Sequence, residues 1–505
     1  MKSNSHFIYI AGSLLCAFLA VLGVVSESPL LYATVPGIVG GIMAASAFWR
    51  FAVKKQDVVG FIATTCGFVY YQAFQANPVM LPEFSASLES IPMVDKLLGL
   101  FLGNLTTAIL LISYHIMWQW LGSAIRTWVP SPSWASRADL DRKVMTGFWI
   151  VFALVAIPNV LFGKVIMGAI DNILYQRLTW EEADNYSGFA VWGGALGGSV
   201  ANLSLWATSL FLIWLYLLRS PYRKLMLGLS PLILLWTAGV ALQGSRTYLV
   251  TIGMAVIVYL IGDPRLGKKT FVRAASGVIV LFLLVQISTL FRGSGLESIN
   301  TRQLSKGLFV IRGNEGTSSQ IDGLQFFRTE LWEKHRAANP MIGLFRGLVE
   351  RPIEGLVMPI PRSLFPWKFD DESGHEFNLW FINVRLGVAT DQQFLGASPG
   401  LIGRELIKYG IFGPFTLLFW LGLLLALANR LYATDAASDF HRIFTALVIA
   451  FIVAQSRDFA PVWFIPFLPA AVVFGFVARQ ARSGQVAAIR RARESGRPVV
   501  AAPHH

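Results

Sequence analysis

Charge is what this chain has least of. Of its 505 residues only 14% are charged, against 54% hydrophobic, and the mean hydropathy is +0.56. Water-soluble domains usually carry about 25% charged residues, so this balance is wrong for one. Cysteine is almost absent: Cys16 and Cys66 both lie in apolar runs. There they behave as small hydrophobes, and two at that spacing make neither a disulfide framework nor a thiolate metal site. The apolar runs show no alternation of polar and apolar positions, which excludes a transmembrane β-barrel. No internal repeat is visible, which argues against the inverted-repeat plan of many transporters.

What is present is a series of apolar runs of the length that crosses a bilayer. They fall near 7–25, 30–50, 57–77, 97–121, 144–163, 191–218, 225–243, 246–262, 274–291, 401–428, 443–456 and 461–478. Backbone groups in lipid must bond within their own segment, so the runs read as helices. The expected fold is therefore an all-α polytopic membrane protein of about twelve spans. The first run leads straight into a second and is read as a retained span, not a cleaved leader.

The net charge of +13 is distributed by loop. Lys54 and Lys55 fall on one side, with Arg126, Arg137, Arg142, Lys143, Arg219, Arg223 and Lys224. Arg265, Lys268, Lys269, Arg273, Arg430, Arg442 and the tail from Arg479 to Arg497 follow on that side. The intervening loops are acidic or balanced, as with Glu83, Glu89 and Asp95 against Lys96. A positive excess on every second loop predicts both termini on the cytoplasmic side. The basic patches then belong near lipid head groups and are not a nucleic-acid surface.

One long break in hydrophobicity, 292–400, holds 12 Lys/Arg and 12 Asp/Glu. Loops of such length are usually functional. The organisation expected is a bundle over 1–291, a large, mainly helical outside loop over 292–400, final spans over 401–478 and a basic, disordered cytoplasmic tail over 479–505.

Within "WTAGVALQGSRTYLVTIGMAVIVYLIG", Arg246 has no acidic neighbour in sequence. An arginine at bilayer centre costs about 3 kcal/mol or more, whereas one at the end of a span reaches water. "QGSR" is accordingly read as a tight outer turn between two spans, with Gly244 permitting close approach. Arg292 closes the next span on that face, and Arg457 lies between the last two spans. Arginine presents a planar fork suited to phosphate oxygens, so this set suits a lipid-linked phosphate or diphosphate.

An "SR" turn between late-middle spans, then one large outside loop, resembles the Wzy-type O-antigen polymerases and the related O-antigen ligases. "MPIPRSLFPWKF" and "ASPGLIGRELIKYGIFGPF" strengthen the likeness. Arg362, Pro366 and Lys368 match the first part of the polymerase pattern; Glu405, Tyr409, Gly410 and Gly413 match the second. Arg404–Glu405 stands where Gly-Glu is usual, and Lys408 replaces the polar residue before the aromatic.

The resemblance covers roughly residues 240–430. It implies a GT-C-type membrane glycosyltransferase of the bacterial inner membrane, with its active site facing the periplasm. Repeat units on undecaprenyl diphosphate would be donor and acceptor, in contact with membrane lipid, and a chain-length regulator would be a partner. No cofactor or metal is implied.

Transfer from a lipid diphosphate needs fixed cations for the departing charge and a base for the acceptor hydroxyl. Arg246 and Arg292 are assigned to the diphosphate, with Arg362, Lys368 and Arg457 behind them. Base candidates are His375, Glu405 and Asp391. The ligases place a catalytic histidine in this loop, though the surroundings of His375 match their motif poorly. Glu405 could equally pair with Arg404 or with a neighbouring helix. "FDDESGHE" contains metal-ligand types, but an acidic loop run is usually solvated. Trp367, Phe377 and Trp380 are candidates for stacking on sugars, or belong to an interfacial aromatic belt. The rival readings are an O-antigen ligase using the same donor and, from another class, a flippase for the lipid-linked sugar.

Overall fold

The structure is a computed structural model. It describes residues 3–28, 30–54, 56–74, 92–128, 137–162, 207–242, 246–262, 319–337, 339–357, 379–385, 399–433 and 439–454. Residues 272, 276–277, 279–280, 376–377 and 494 are described as fragments. Among the described residues every regular element is helical. Among the described residues four helical stretches are long and apolar enough to cross a membrane: Ser5–Val25, Leu30–Lys54, Thr106–Arg126 and Ile402–Tyr432. Apart from the fragments near 280, the spans expected at 274–291 and 461–478 lie outside the described residues.

In chain order the bundle helices are α1 (Ser3–Val25), α2 (Val35–Lys54), α3 (Val58–Phe74), α4 (Met93–Asn104), α5 (Thr106–Trp128) and α6 (Arg137–Phe162). They continue with α7 (Ala207–Leu217), α8 (Arg223–Leu242) and α9 (Arg246–Gly262). The long loop supplies α10 (Ser319–Phe326), α11 (Trp332–Ala337) and α12 (Pro340–Val357). The chain then returns through α13 (Leu401–Tyr409), α14 (Gly413–Ala433) and α15 (Asp439–Ala454).

Polar contacts between apolar helices fix their register. α1 runs antiparallel to α4 and α5, which are joined through Leu105. The Ser13 hydroxyl donates to the Asn104 carbonyl at 2.5 Å and accepts from the Ala108 N–H at 3.3 Å. α14 lies along α5, where a Cβ on Gly422 would strike the Ser113 carbonyl. A small residue there lets two backbones touch, the usual way helices associate inside lipid.

Helix ends that the alternating topology puts on one side do meet. Arg430 donates to the Arg126 carbonyl at 3.4 Å, and the Tyr216 hydroxyl to Asp141 at 2.5 Å. Arg219 and Arg442 both lie over the Tyr259 ring, at 5.0 and 5.6 Å. The same holds where His6, Arg50 and Asp57 meet at the start of α1, the end of α2 and the start of α3.

The described loop helices are mounted on the bundle. Between α10 and α11 the helix widens to a π-turn at Phe327–Leu331. Arg328 on that turn makes a two-pronged bond to buried Asp95 on α4, at 3.0 and 2.8 Å. Gly323 on α10 lies against the Pro399 carbonyl and Gly403, too close for any larger residue. A small core of Phe326, Phe327, Leu331, Phe377, Trp380, Phe381 and Ile407 joins the loop to α13. Each such side chain contributes about 1.5–3 kcal/mol on burial.

Candidate functional site

The segment "LIGRELIKYGIFGPF" makes a corner. α13 ends at Tyr409, Gly410 takes φ 72°, and Gly413 comes up against the carbonyl of Glu405. A continuous helix would separate residues eight apart by about 12 Å; here the chain has folded back. Gly410 is required by its left-handed backbone and Gly413 by the close approach. Both are positions of the polymerase-like pattern, so that pattern marks a backbone shape.

α12 crosses this corner. It starts at Asn339, whose side-chain oxygen caps the Met341 N–H at 3.0 Å, with Pro340 in the first turn, where its missing donor does no harm. Gly343, Gly347 and Arg351 recur every fourth residue and so share one face. Gly343 fits against the Tyr409 carbonyl and Gly347 against Thr416. The Trp420 indole N–H donates to the Gly347 carbonyl at 3.3 Å.

Arg351, one turn further on, donates to the carboxylate of Glu405. Both side chains are buried, and the Arg351 guanidinium also lies 5.3 Å from the Tyr409 ring centre. Arg404 and Lys408 add their fields at Glu405, and the Lys408 ammonium sits 5.6 Å from the Tyr409 ring on its own helix. Beside them Arg346 pairs with Glu350 at 2.5 Å. Among the described residues, Arg346, Arg351, Arg404 and Lys408 lie with the carboxylates Glu350 and Glu405 around the mouth of α14. Among the described residues, the second Glu350 oxygen is buried without a hydrogen-bond partner.

His335 holds the corner from the other side. Its Nε2–H donates to the Ile407 carbonyl at 3.1 Å, and the ring packs on Phe327. Burial pushes this imidazole below its ordinary value; the bond to Ile407 works the other way, and the charges of Lys334 and Arg346 add to the lowering.

Of the residues singled out from sequence, Glu405 is at the centre of this site, committed to Arg351 on a neighbouring helix. Phe377 and Trp380 are buried in the loop core. Phe377 stands edge-on to Phe326 and stacked near Trp380, which leaves it no open face for a sugar. α8 ends at Leu242 and Arg246 opens α9; the expected turn at 243–245 lies outside the described residues. The Arg246 side chain, and Arg292, Arg362, Trp367, Lys368, His375, Asp391 and Arg457, lie outside the described residues.

Arg351 and His335 were missed by the sequence reading. For Arg351 a signal exists in "GLFRGLVER": two glycines and an arginine four residues apart mark a close-packed face ending in a cation. His335 carries none, because its partner is a backbone carbonyl. No protein-family model, curated protein or solved structure matches the chain.

Proposed function

We propose that this chain is a Wzy-type polymerase of the bacterial inner membrane, with about twelve spans in a GT-C-like arrangement, both termini cytoplasmic and the site facing the periplasm. It joins oligosaccharide repeat units carried on undecaprenyl diphosphate, for lipopolysaccharide O-antigen or a related surface polysaccharide. The observation that carries the reading is the corner at Gly410. There the pattern residues Glu405, Tyr409, Gly410 and Gly413 and the loop residue Arg351 close one buried junction at the mouth of a span, with Arg404 and Lys408 beside it.

A diphosphate leaving group needs fixed positive charge in a site that does not reorganise. Arg351, locked by Glu405 and framed by Arg404 and Lys408, is preorganised in this sense. Arg246 sits at the N-terminus of a 17-residue helix, where the positive end of the helix dipole adds to its own charge. In this mechanism Arg246 and Arg292 take the departing diphosphate, with Arg362, Lys368 and Arg457 in support, and His375 or Asp391 accepts the proton of the acceptor hydroxyl. Glu405 serves as a positioning residue that holds Arg351.

The test is to supply the purified protein with synthetic undecaprenyl-diphosphate repeat units, first alone and then with lipid A core. Products of two or more repeats are expected. Transfer only to added lipid A core would identify a ligase instead, and movement of intact units across a vesicle without elongation a flippase.

A further inference from the structure

The face of α12 opposite its glycines is apolar and exposed. Met341, Phe345, Val349 and Ile353 recur every fourth residue. They are offset by two from Gly343, Gly347 and Arg351, or about 200° around the helix. Phe345 is 67% exposed, Met341 60%, and Ile342 beside them 55%. The flank between the two faces carries the Arg346–Glu350 pair. A soluble outside loop has no reason to present such a stripe, and isolated patches of this kind mark an interaction surface.

The level at which α12 lies says what covers it. Its glycine face touches Thr416 and Trp420 of α14. Trp420 is seven residues beyond Gly413, so about 10 Å into a helix long and apolar enough to cross a membrane. Two more exposed apolar side chains, Ile411 and Phe415, stand at the same corner, so the apolar surface of the span continues onto this helix. Interfacial helices combine one apolar face with a charged flank and sink about 5–10 Å into the boundary between head groups and acyl chains.

We propose that α12 is an in-plane membrane helix whose Met341–Phe345–Val349–Ile353 edge is seated in lipid, so that the long loop docks on the bilayer as well as on the bundle. Bulk lipid is the occupant, and the inference stands independently of any enzymatic activity.

Both cysteines are buried, so single added thiols on exposed positions can be labelled in the intact protein. Met341→Cys, Phe345→Cys and Val349→Cys, with Glu333→Cys on α11 as a water-exposed control, would each carry a bimane dye. The proteins are reconstituted in phosphatidylcholine/phosphatidylglycerol vesicles with or without bromine high on the acyl chains. The expected result is a blue-shifted emission and loss of most of the fluorescence in brominated vesicles at all three α12 positions, with none at Glu333→Cys. Equal, weak quenching at all four positions overturns the proposal. So does disulfide crosslinking of Phe345→Cys between copies without quenching, which assigns the face to a second copy.

Discussion

Arg351 and Glu405 stand 54 positions apart in sequence and meet as a buried ion pair across the boundary between the long loop and the span that follows it. The pair fastens α12 to α13 at the point where Gly410 turns the chain into α14. Because both partners are out of water, each depends on the other.

Removing one charge should therefore be far costlier than removing both. Glu405→Gln or Arg351→Met alone is expected to destabilise by about 3–5 kcal/mol, as uncompensated buried charges do. The double variant should recover much of that, since apolar replacement of a buried pair is often neutral. Thermal unfolding of the reconstituted proteins reads this out; additive losses in the double variant would show that the two act separately. If the pair positions a diphosphate ligand, the double variant regains stability and still makes no polymer.

Gly410→Ala should cost about 1–3 kcal/mol, because φ 72° with ψ −159° is a backbone region essentially reserved for glycine, and its added carbon would lie 2.9 Å from the His335 ring nitrogen. Gly228→Ala is the contrast. A Cβ there meets nothing within 4 Å, so that helix should gain roughly 0.5–1 kcal/mol. Opposite signs in the unfolding temperature are the expected outcome, and equal effects would refute the geometry.

The corner should loosen in mild acid. His335 is held below its ordinary value of about 6.5, so the unfolded chain binds its proton more readily than the folded one. Stability from this group is present above the ordinary value and is lost as pH falls from there through the depressed one. Hydrogen-exchange protection at the C-terminal end of α13, corrected for the intrinsic pH dependence of exchange, should fall across that window in the parent protein. The corrected protection should stay level there in His335→Gln.

At the other cluster, Asp57 accepts from His6 Nε2 at 2.5 Å, from the Ser5 hydroxyl at 3.0 Å and from the Gly60 N–H at 3.1 Å. Burial opposes its ionisation, but the bond and charge of His6, with Ser5 and Gly60, outweigh that and hold it below the ordinary carboxylate range. Its contribution is complete above the ordinary value and disappears as pH falls through the depressed one. Asp57 also has φ 62°, which asparagine tolerates. Asp57→Asn thus removes charge without straining the backbone. A loss on the order of 1–3 kcal/mol at neutral pH is expected, as for hydrogen bonds to a charged group, with no further acid dependence from this site.

For the proposed chemistry, Arg246→Ala should abolish full-length polymer while the protein inserts and folds normally, and full-length product from that variant would remove Arg246 from the diphosphate site. His375→Ala and Asp391→Asn, assayed for chain elongation across pH, separate the two base candidates. The true base should lose rate with its pH dependence, and the other should keep both.

Composition alone determined that the chain is helical and apolar enough for a membrane, because an excess of apolar surface without alternation leaves the backbone no other way to satisfy its hydrogen bonds. Periodicity is local, and so are those conclusions. Which side chains meet across 54 or 233 residues, as Arg351 meets Glu405 and Arg328 meets Asp95, depends on the packing of helices that share no sequence register. Phe377 and Trp380 make the point in reverse. Their type fits a sugar platform as well as a core, and only the neighbours that cover them decided for the core. The polymerase-like pattern was legible as letters, and the tertiary structure gave it a physical meaning: Gly410 and Gly413 bend the chain, and Glu405 holds the arginine that faces the bend.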